Sequence, residues 1–406
     1  MMPGAVRRIR LRRDSTLPTD NTVEGSGPLG PATGPYGLIA GKDLHPTTAR
    51  RASHGSLYLP GLPGFLAENM MTILAVDIGY SSLKLAYGDN RSDLSALILP
   101  SIAAPKRRIA RVIGAEEGDE DLEVLVDGRT YVACCNPAHT RVERVVHEDY
   151  AQEDTYHALY RAALVMSGAS ELDYVITGLP VSQSQDPQRV ASLKGMMSGH
   201  IEAKEGRFIN VKQVDVVPQP LGAYFELAAE WDGPKEFLKG NIVVIDPGYY
   251  SVDWITMNAG RLMLESSGTS LNATSRIIEG AAEILRERNG GMVDPQTIEH
   301  ALRQEKSHIV AFGRMLDVRQ AVQEAAVDPV REALRAVRAS VRQTRAEPGI
   351  VVVAGGGTEF YKAKVSEHFP GWRVWTGRTP VMSNVRGFWL YRHLRETRGR
   401  PSATPA

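Results

Sequence analysis

The stretch from Ala75 to Gly88, AVDIGYSSLKLAYG, is repeated in outline from Val243 to Thr256, VVIDPGYYSVDWIT. Each copy sets apolar residues before Asp-x-Gly-Tyr, then small polar residues, then a second apolar run. That order predicts strand, tight turn, strand, with Asp77 and Asp246 at the mouths of the two turns. One such turn constrains little, because Asp and Gly are ordinary hairpin connectors. Two copies about 170 residues apart imply two related halves with a cleft between them. Glycine and serine after each Asp bring backbone N–H groups close to whatever lies above. Two such hairpins facing each other suit a polyphosphate, with Asp77 and Asp246 holding a metal ion between them.

The chain has 406 residues, enough for two domains with additions. Its 47 basic and 47 acidic residues cancel, so no overall field draws it to nucleic acid or membrane. Its two cysteines, Cys134 and Cys135, are adjacent. They offer neither a disulfide framework nor zinc spacing, and read as packing residues in a reducing cytoplasm. No apolar run approaches the roughly 20 residues of a membrane helix, so no membrane partner is expected.

Residues 1–69 differ from the rest, with 10 Gly, 8 Pro and five Arg between Arg7 and Arg13. Such a composition buries too little apolar surface to offset its ordering entropy, and the segment reads as a disordered leader. An over-long reading frame is the alternative, since Met70 and Met71 directly precede the first strand. Removing the leader's 8 basic and 5 acidic residues from the totals leaves 39 basic and 42 acidic, a net charge of −3.

From Met71 onward strands and helices alternate, which indicates an α/β chain. Leu122–Ala133 reads as a hairpin, and Thr155–Ser167, Gln219–Trp231, Asn272–Arg288, Pro295–Gln304, Pro329–Ala346 and Val385–Arg395 as helices. Asp173–Pro180, Phe208–Val217 and Gly349–Ala354 read as further strands. Several segments carry two readings. Lys84, seven residues after Asp77, is either a cation for phosphate charge or a solvated strand lysine. Gln219, between two prolines, either orients an attacking water or simply opens a helix. Gly355, Gly356, Gly357 and Thr358 follow a buried strand, and either admit a flat base or phosphate or make a tight left-handed turn. Arg276 and Glu279 either reach a ribose or base, or pair on the surface. Arg331, Arg335, Arg338, Arg342 and Arg345 make a stripe that either meets DNA or an acidic neighbour or is a solvated face.

Taken in order, these segments resemble the actin/sugar-kinase/heat-shock-chaperone ATPase superfamily. DIGYSSLK resembles its first phosphate loop, PQPLGAYFE its first connecting helix and DPGYYSVD its second phosphate loop. VVVAGGGTE resembles its adenosine motif and SNVRGFWLYRHL its second connecting helix. Within it the chain is most similar to the ParM/StbA group of plasmid-segregation proteins. DIGYSSLK with TGLPVSQ, and GGGTEF with SNVRGFW, resemble the branch known as PRTRC-system protein D. The resemblance implies an actin-like (ribonuclease H-like) duplicated fold with a nucleotide cleft between two domains. These would be residues 71–240, with 385–398 returning as a closing helix, and residues 241–384.

It further implies that Asp77 and Asp246 hold Mg2+ through water. Lys84 and the loops Gly79, Tyr80, Ser81, Ser82 and Gly248, Tyr249, Tyr250, Ser251 would hold the phosphates of ATP or ADP. Gln219 would position the hydrolytic water, with Asp77 and Asp246 completing the catalytic set. Gly355–Thr358 would contact the adenosine. Pro247, Tyr80 and Tyr249 depart from the usual loop residues. The implied function is an ATPase that polymerises with itself and segregates DNA through a DNA-bound adaptor. The alternative is a small-molecule kinase or a regulatory nucleotide-binding protein on the same fold.

Overall fold

The computed structural model describes residues 72–88, 94–108, 122–135, 147–343 and 349–399. The leader and Arg345 lie outside the described residues. The first half begins with strands β1 (Ile73–Ile78), β2 (Ser82–Tyr87) and β3 (Ser95–Pro100). A small antiparallel sheet follows, of β4 (Ala103–Pro105), β5 (Leu122–Val126) and β6 (Arg129–Ala133). Asp127 and Gly128, both at positive φ, turn its hairpin. Then come α1 (Asp154–Ser167), β7 (Glu171–Leu179), α2 (Val181–Ser184), α3 (Pro187–Met197), β8 (Gly199–Lys204), β9 (Arg207–Pro218) and α4 (Pro220–Glu230).

The second half runs through β10 (Asn241–Pro247), β11 (Val252–Asn258), β12 (Arg261–Ser270), α5 (Thr274–Asn289) and α6 (Pro295–Arg303). It continues with β13 (His308–Ala311), β14 (Arg314–Asp317), α7 (Val318–Ala325), α8 (Val327–Gln343), β15 (Ile350–Val353), α9 (Thr358–His368), β16 (Arg373–Trp375) and α10 (Ser383–Gly399).

One sheet has the order β3-β2-β1-β7-β9-β8 and the other β12-β11-β10-β15-β16. The first five strands of one match the other in order and direction. β1 and β10 each pair antiparallel with the next strand and parallel with a later one, β7 or β15. A tight turn can join only antiparallel neighbours, whereas the parallel neighbour needs a long crossover carrying helices. Every residue of β1 and β15 is buried, and β10 is buried beyond Asn241. Strands covered on both faces need continuous apolar runs rather than alternation, which these sequences supply. This is the actin-like duplicated α/β fold.

Two helices exchange between the sheets. On α4, Ala223 and Leu227 pack with Ile242, Val244, Ile350 and Val352 of the second sheet. On α10, Val385, Phe388 and Trp389 pack with Ile73, Ala75 and Ile176 of the first sheet. Where α4 and α10 cross, a Cβ on Gly222 would lie 2.2 Å from the Asn384 carbonyl oxygen, and one on Gly387 would lie 1.7 Å from the Gly222 carbonyl oxygen. Both positions therefore exclude any side chain. A buried ion pair, Arg386 Nη1 to Glu226 Oε1 at 3.1 Å, ties the same two helices together.

One helix start differs from the sequence reading. The Asp328-Pro329 pair predicts a start there, but α8 begins at Val327, with Val330 N donating to Ala326 O. Proline is accepted within a first helical turn, where its missing N–H has no partner to lose. The arginine stripe of α8 is also broken. Arg331 pairs with Asp328, Arg338 is half-buried, and only Arg335 and Arg342 of the described members stand exposed without such a pair. Among the described residues no helix is long and apolar enough to cross a membrane.

Candidate functional site

The two repeated loops have the same internal geometry. Gly79 N donates to Ser82 O at 3.0 Å, and Gly248 N donates to Ser251 O at 2.8 Å. A Cβ on Gly248 would lie 2.9 Å from that Ser251 oxygen, so the second turn closes only with glycine. The bond occupies both glycine amides. Among the described residues, the amides of Tyr80, Ser81 and Tyr250 donate to no protein acceptor. Turn amides left in this state form a concavity suited to an anion.

The ladders set equivalent residues opposite the two aspartates, Lys84 facing Asp77 and Asp253 facing Asp246. Here the repeat diverges chemically. Lys84 Nζ lies 2.8 Å from Asp77 Oδ2, with side-chain exposures of 12% and 3%. Lys84 is therefore a largely shielded, paired cation at the loop and not a solvated strand lysine. Asp246 has no such partner and accepts instead from Asn384 Nδ2 at 2.6 Å, at the start of α10. Burial pushes the Asp246 carboxyl up to about 7; Asp77 and Asp253 add to the rise, while Lys84 and the Asn384 amide oppose it. The two aspartates and Lys84 thus sit close enough to share one electrostatic environment.

Asp253 is fully occupied. It accepts from the Ser251 hydroxyl at 2.6 Å, the Thr269 hydroxyl at 2.6 Å and the Val181 amide at 2.7 Å. Burial raises its pKa, and these three donors act against the rise. Through Val181 it anchors the TGLPVS segment to the second sheet. Asp253, Asn384, Glu299 and Arg303 escaped the sequence reading as site residues, although Asp253 ends the segment likened there to the second phosphate loop and the other three lie in segments read as helices.

Tyr80 and Tyr250 come from opposite loops, and their rings meet at 4.9 Å between centroids. Tyr80 also stacks on Tyr150 at 4.5 Å and bonds the His147 carbonyl through its hydroxyl. The bulky loop residues therefore pack with one another. Tyr249 packs against the second core, and its carbonyl accepts from Ser275 N at 2.8 Å. Ser251 spends its hydroxyl on Asp253, and Ser81 spends its own on Glu299 at 2.8 Å.

Gly355 stands at φ +83°, where a Cβ would lie 2.1 Å from Asp246 Oδ1. The glycine run thus abuts the second aspartate directly. Gly357 N donates to Pro247 O at 2.8 Å, and Thr358 Oγ1 caps Gly355 O at 2.8 Å. Gly356 alone of the three faces open space, with a Cβ meeting only Val381 at 3.9 Å. Gln219 precedes α4, and its side chain lies over Gly178, where a Cβ would sit 2.7 Å from Gln219 Cγ. Its amide makes no side-chain hydrogen bond among the described residues. Arg276 and Glu279 lie on the exposed face of α5, 3.7 Å apart, and pair with each other.

Among the described residues no group of three or more His, Cys, Asp or Glu converges. Two carboxylates are nonetheless enough for magnesium, which keeps several waters and takes phosphate oxygens. Two oxygens near the aspartates are buried without a partner, Asn384 Oδ1 and Thr274 Oγ1. Thr274 Oγ1 lies 2.9 Å from where a Gly357 Cβ would be. Buried excess negative charge beside orphaned oxygens fits a hydrated divalent cation and its phosphate ligand.

Residues 75–222 match the N-terminal domain of actin-like proteins, and residues 244–367 match the C-terminal domain of archaeal MreB-like actin homologues. No curated protein sequence matches the chain. Among solved structures, the archaeal actin homolog Ta0583 superposes with a TM-score of 0.63 at 18% identity, covering 80% of this chain and 100% of its own. The complex of Ta0583 with ADP gives 0.60 at 19% identity, with the same coverage. ParM in a 15-stranded filament from Clostridium botulinum gives 0.62 at 16% identity, covering 80% of this chain and 99% of that one. At these identities the likeness is one of fold.

Proposed function

The chain belongs to the actin-like protein family, and on that premise we propose that it binds and hydrolyses Mg-ATP between its two loops and polymerises with itself. The observation that carries this reading is the pair of facing loops, closed by the same glycine-to-serine bond and bearing Asp77, Lys84 and Asp246 in one electrostatic environment. The Tyr80, Ser81 and Tyr250 amides and Lys84 would hold the phosphates. Asp77 and Asp246 would hold Mg2+ through water, and the ion would supply charge neutralisation at the terminal phosphates. Gln219, its amide unspent, would orient the attacking water. Gly356 would receive the adenosine across its open face. The two domains are proposed as residues 71–240 with 385–398, and 241–384.

Catalysis on this reading is positioning and electrostatics, with no covalent intermediate. A kinase acting on a small acceptor would need a free carboxylate base. Of the further buried acids at the loops, Asp253 already accepts three hydrogen bonds and Glu299 accepts from Ser81 and Arg303, so no observation favours that alternative. The filament would segregate DNA through an adaptor protein bound to the DNA. The test is sedimentation of the full chain at rising concentration with Mg-ATP, Mg-ADP or no nucleotide. Pelleting above a critical concentration with Mg-ATP is expected, with substrate-free turnover rising in step. A chain that stays in the supernatant under all three conditions would overturn the polymer.

A further inference from the structure

Ser81, at the centre of the first loop, is gripped from the opposite half of the molecule. Its hydroxyl donates to Glu299 Oε1 on α6 at 2.8 Å, across 218 positions of sequence. Arg303, one turn further along α6, donates through Nη2 to the same Glu299 oxygen at 2.7 Å. The same Nη2 bonds both the carbonyl and the hydroxyl oxygen of Ser81. Glu299 is 3% exposed, and the Arg303 side chain is 23% exposed.

An i,i+4 Glu–Arg pair on a helix surface contributes a few tenths of a kcal/mol and needs no burial. Burying one is costly unless its remaining hydrogen-bonding groups are satisfied. Here Ser81, on a loop of the opposite half, supplies part of that satisfaction. A second contact crosses at the same place, the meeting of the Tyr80 and Tyr250 rings. Two independent contacts therefore fix the first loop from across the cleft, one polar and one aromatic.

We propose that Glu299 and Arg303 are positioning residues that hold the first loop from across the cleft, and so slow the departure of a bound nucleoside triphosphate. The inference rests on the reading of that loop as a phosphate cradle. Neither residue needs to touch the nucleotide. Arg303 fixes Ser81, and Ser81 carries one of the amides left without a protein acceptor. Glu299 holds the guanidinium at that station.

The test uses the full chain and three variants, Arg303→Ala, the isosteric Glu299→Gln, and Arg286→Ala as a control. Arg286 belongs to an exposed pair with Glu283 on α5. The first readout is hydrogen exchange of the Gly79 amide, which donates to Ser82 O and is protected by the closed loop, in nucleotide-free protein, with the bonded amides of the β10–β11 ladder as internal reference. The second is the dissociation rate of a fluorescent N-methylanthraniloyl-ATP. In Arg303→Ala and Glu299→Gln, loop exchange and dissociation should each rise about tenfold, the value of one lost charge-assisted hydrogen bond. The β10–β11 reference and the control should stay as in wild type. If Arg303→Ala misfolds, Glu299→Gln decides alone. Unchanged loop exchange overturns the cross-cleft hold, and raised exchange with an unchanged dissociation rate overturns its role in retention. If the wild-type chain binds no nucleotide analogue, the phosphate-cradle reading fails and with it the retention role, while the exchange measurement still decides the hold.

Discussion

Asp246 sits where its charge is least welcome. Its carboxyl titrates at about 7 in the folded chain, against about 3.9 for an unfolded aspartate. The folded state therefore holds the proton more tightly. The stability this contributes is complete below about pH 4 and is lost as pH rises toward 7. Asp246→Asn stays neutral throughout, so its stability relative to wild type should widen by about 2–3 kcal/mol between pH 5 and pH 8. Denaturant unfolding of nucleotide-free protein at the two pH values measures this. A gap independent of pH would mean that the carboxylate is not held at a cost. The neighbouring glycines give a paired prediction. Gly355→Ala forces a Cβ at φ +83° to 2.1 Å from Asp246 Oδ1, and should lower stability by roughly 1–3 kcal/mol. Gly356→Ala meets only Val381 at 3.9 Å, so thermal unfolding should stay within about 0.5 kcal/mol of wild type. ATP affinity, read by titration calorimetry, should nonetheless fall in Gly356→Ala, because the methyl fills the open face proposed for adenosine.

The crossing of α4 and α10 is the element on which the sheets' relation depends. Gly222→Ala and Gly387→Ala each drive a methyl onto a backbone oxygen, at 2.2 Å and 1.7 Å. Backbone cannot rotate aside as a side chain can, so each should cost at least about 1–3 kcal/mol in a thermal or urea melt. An unchanged melting temperature for either would mean the helices separate without penalty. Neither glycine marks itself in the sequence, because close approach is a property of two segments and is invisible in each alone. The same limit explains what else was legible. β1, β2, β10 and β11 could be read because hairpin, alternation and apolar run are local signals. α1, α5 and α6 were found to within two residues, two of them stopped by the positive-φ glycines Gly168 and Gly290. β12, the β13–β14 hairpin and β16 carry weak alternation and owe their form to packing, whereas α7 is amphipathic but, at 8 residues, too short to mark itself. At the site, Asp77 and Asp246 announced themselves by repetition. Glu299 and Arg303 escaped notice, because an i,i+4 ion pair is ordinary on a helix and nothing local reveals that Ser81 lies across from them.

At the scale of the whole molecule, four of the eight large exposed apolar side chains among the described residues lie on or beside one hairpin. Val310, Phe312 and Met315 of the β13–β14 hairpin are 74%, 50% and 67% exposed, and the nearby Met292 is 77% exposed. Val310 and Met315 are register partners and share a face. The Phe312 ring covers Gly291, where a Cβ would lie 2.6 Å away. Phe312 also takes φ +53°, a conformation that Asn or Gly adopts with less strain. Scattered exposed apolar residues are ordinary, but the paired Val310 and Met315 beside Phe312 on one hairpin suit a surface that another molecule covers. In a chain proposed to polymerise, a second copy is the occupant to test first. Val310→Glu combined with Met315→Glu places two like charges on that face without touching the core. The critical concentration for Mg-ATP-dependent pelleting should rise at least about tenfold, since each lost 1.4 kcal/mol of contact is one decade. Nucleotide affinity should remain at its wild-type value, because neither residue belongs to the loops, while the melting temperature should fall only slightly, since the two facing glutamates repel across the hairpin. Unaltered pelleting would place the polymer contact elsewhere on the molecule. A fall in nucleotide affinity alongside weaker pelleting would mean that the hairpin and the cleft are coupled through α6, which leads into β13 and carries Glu299 and Arg303.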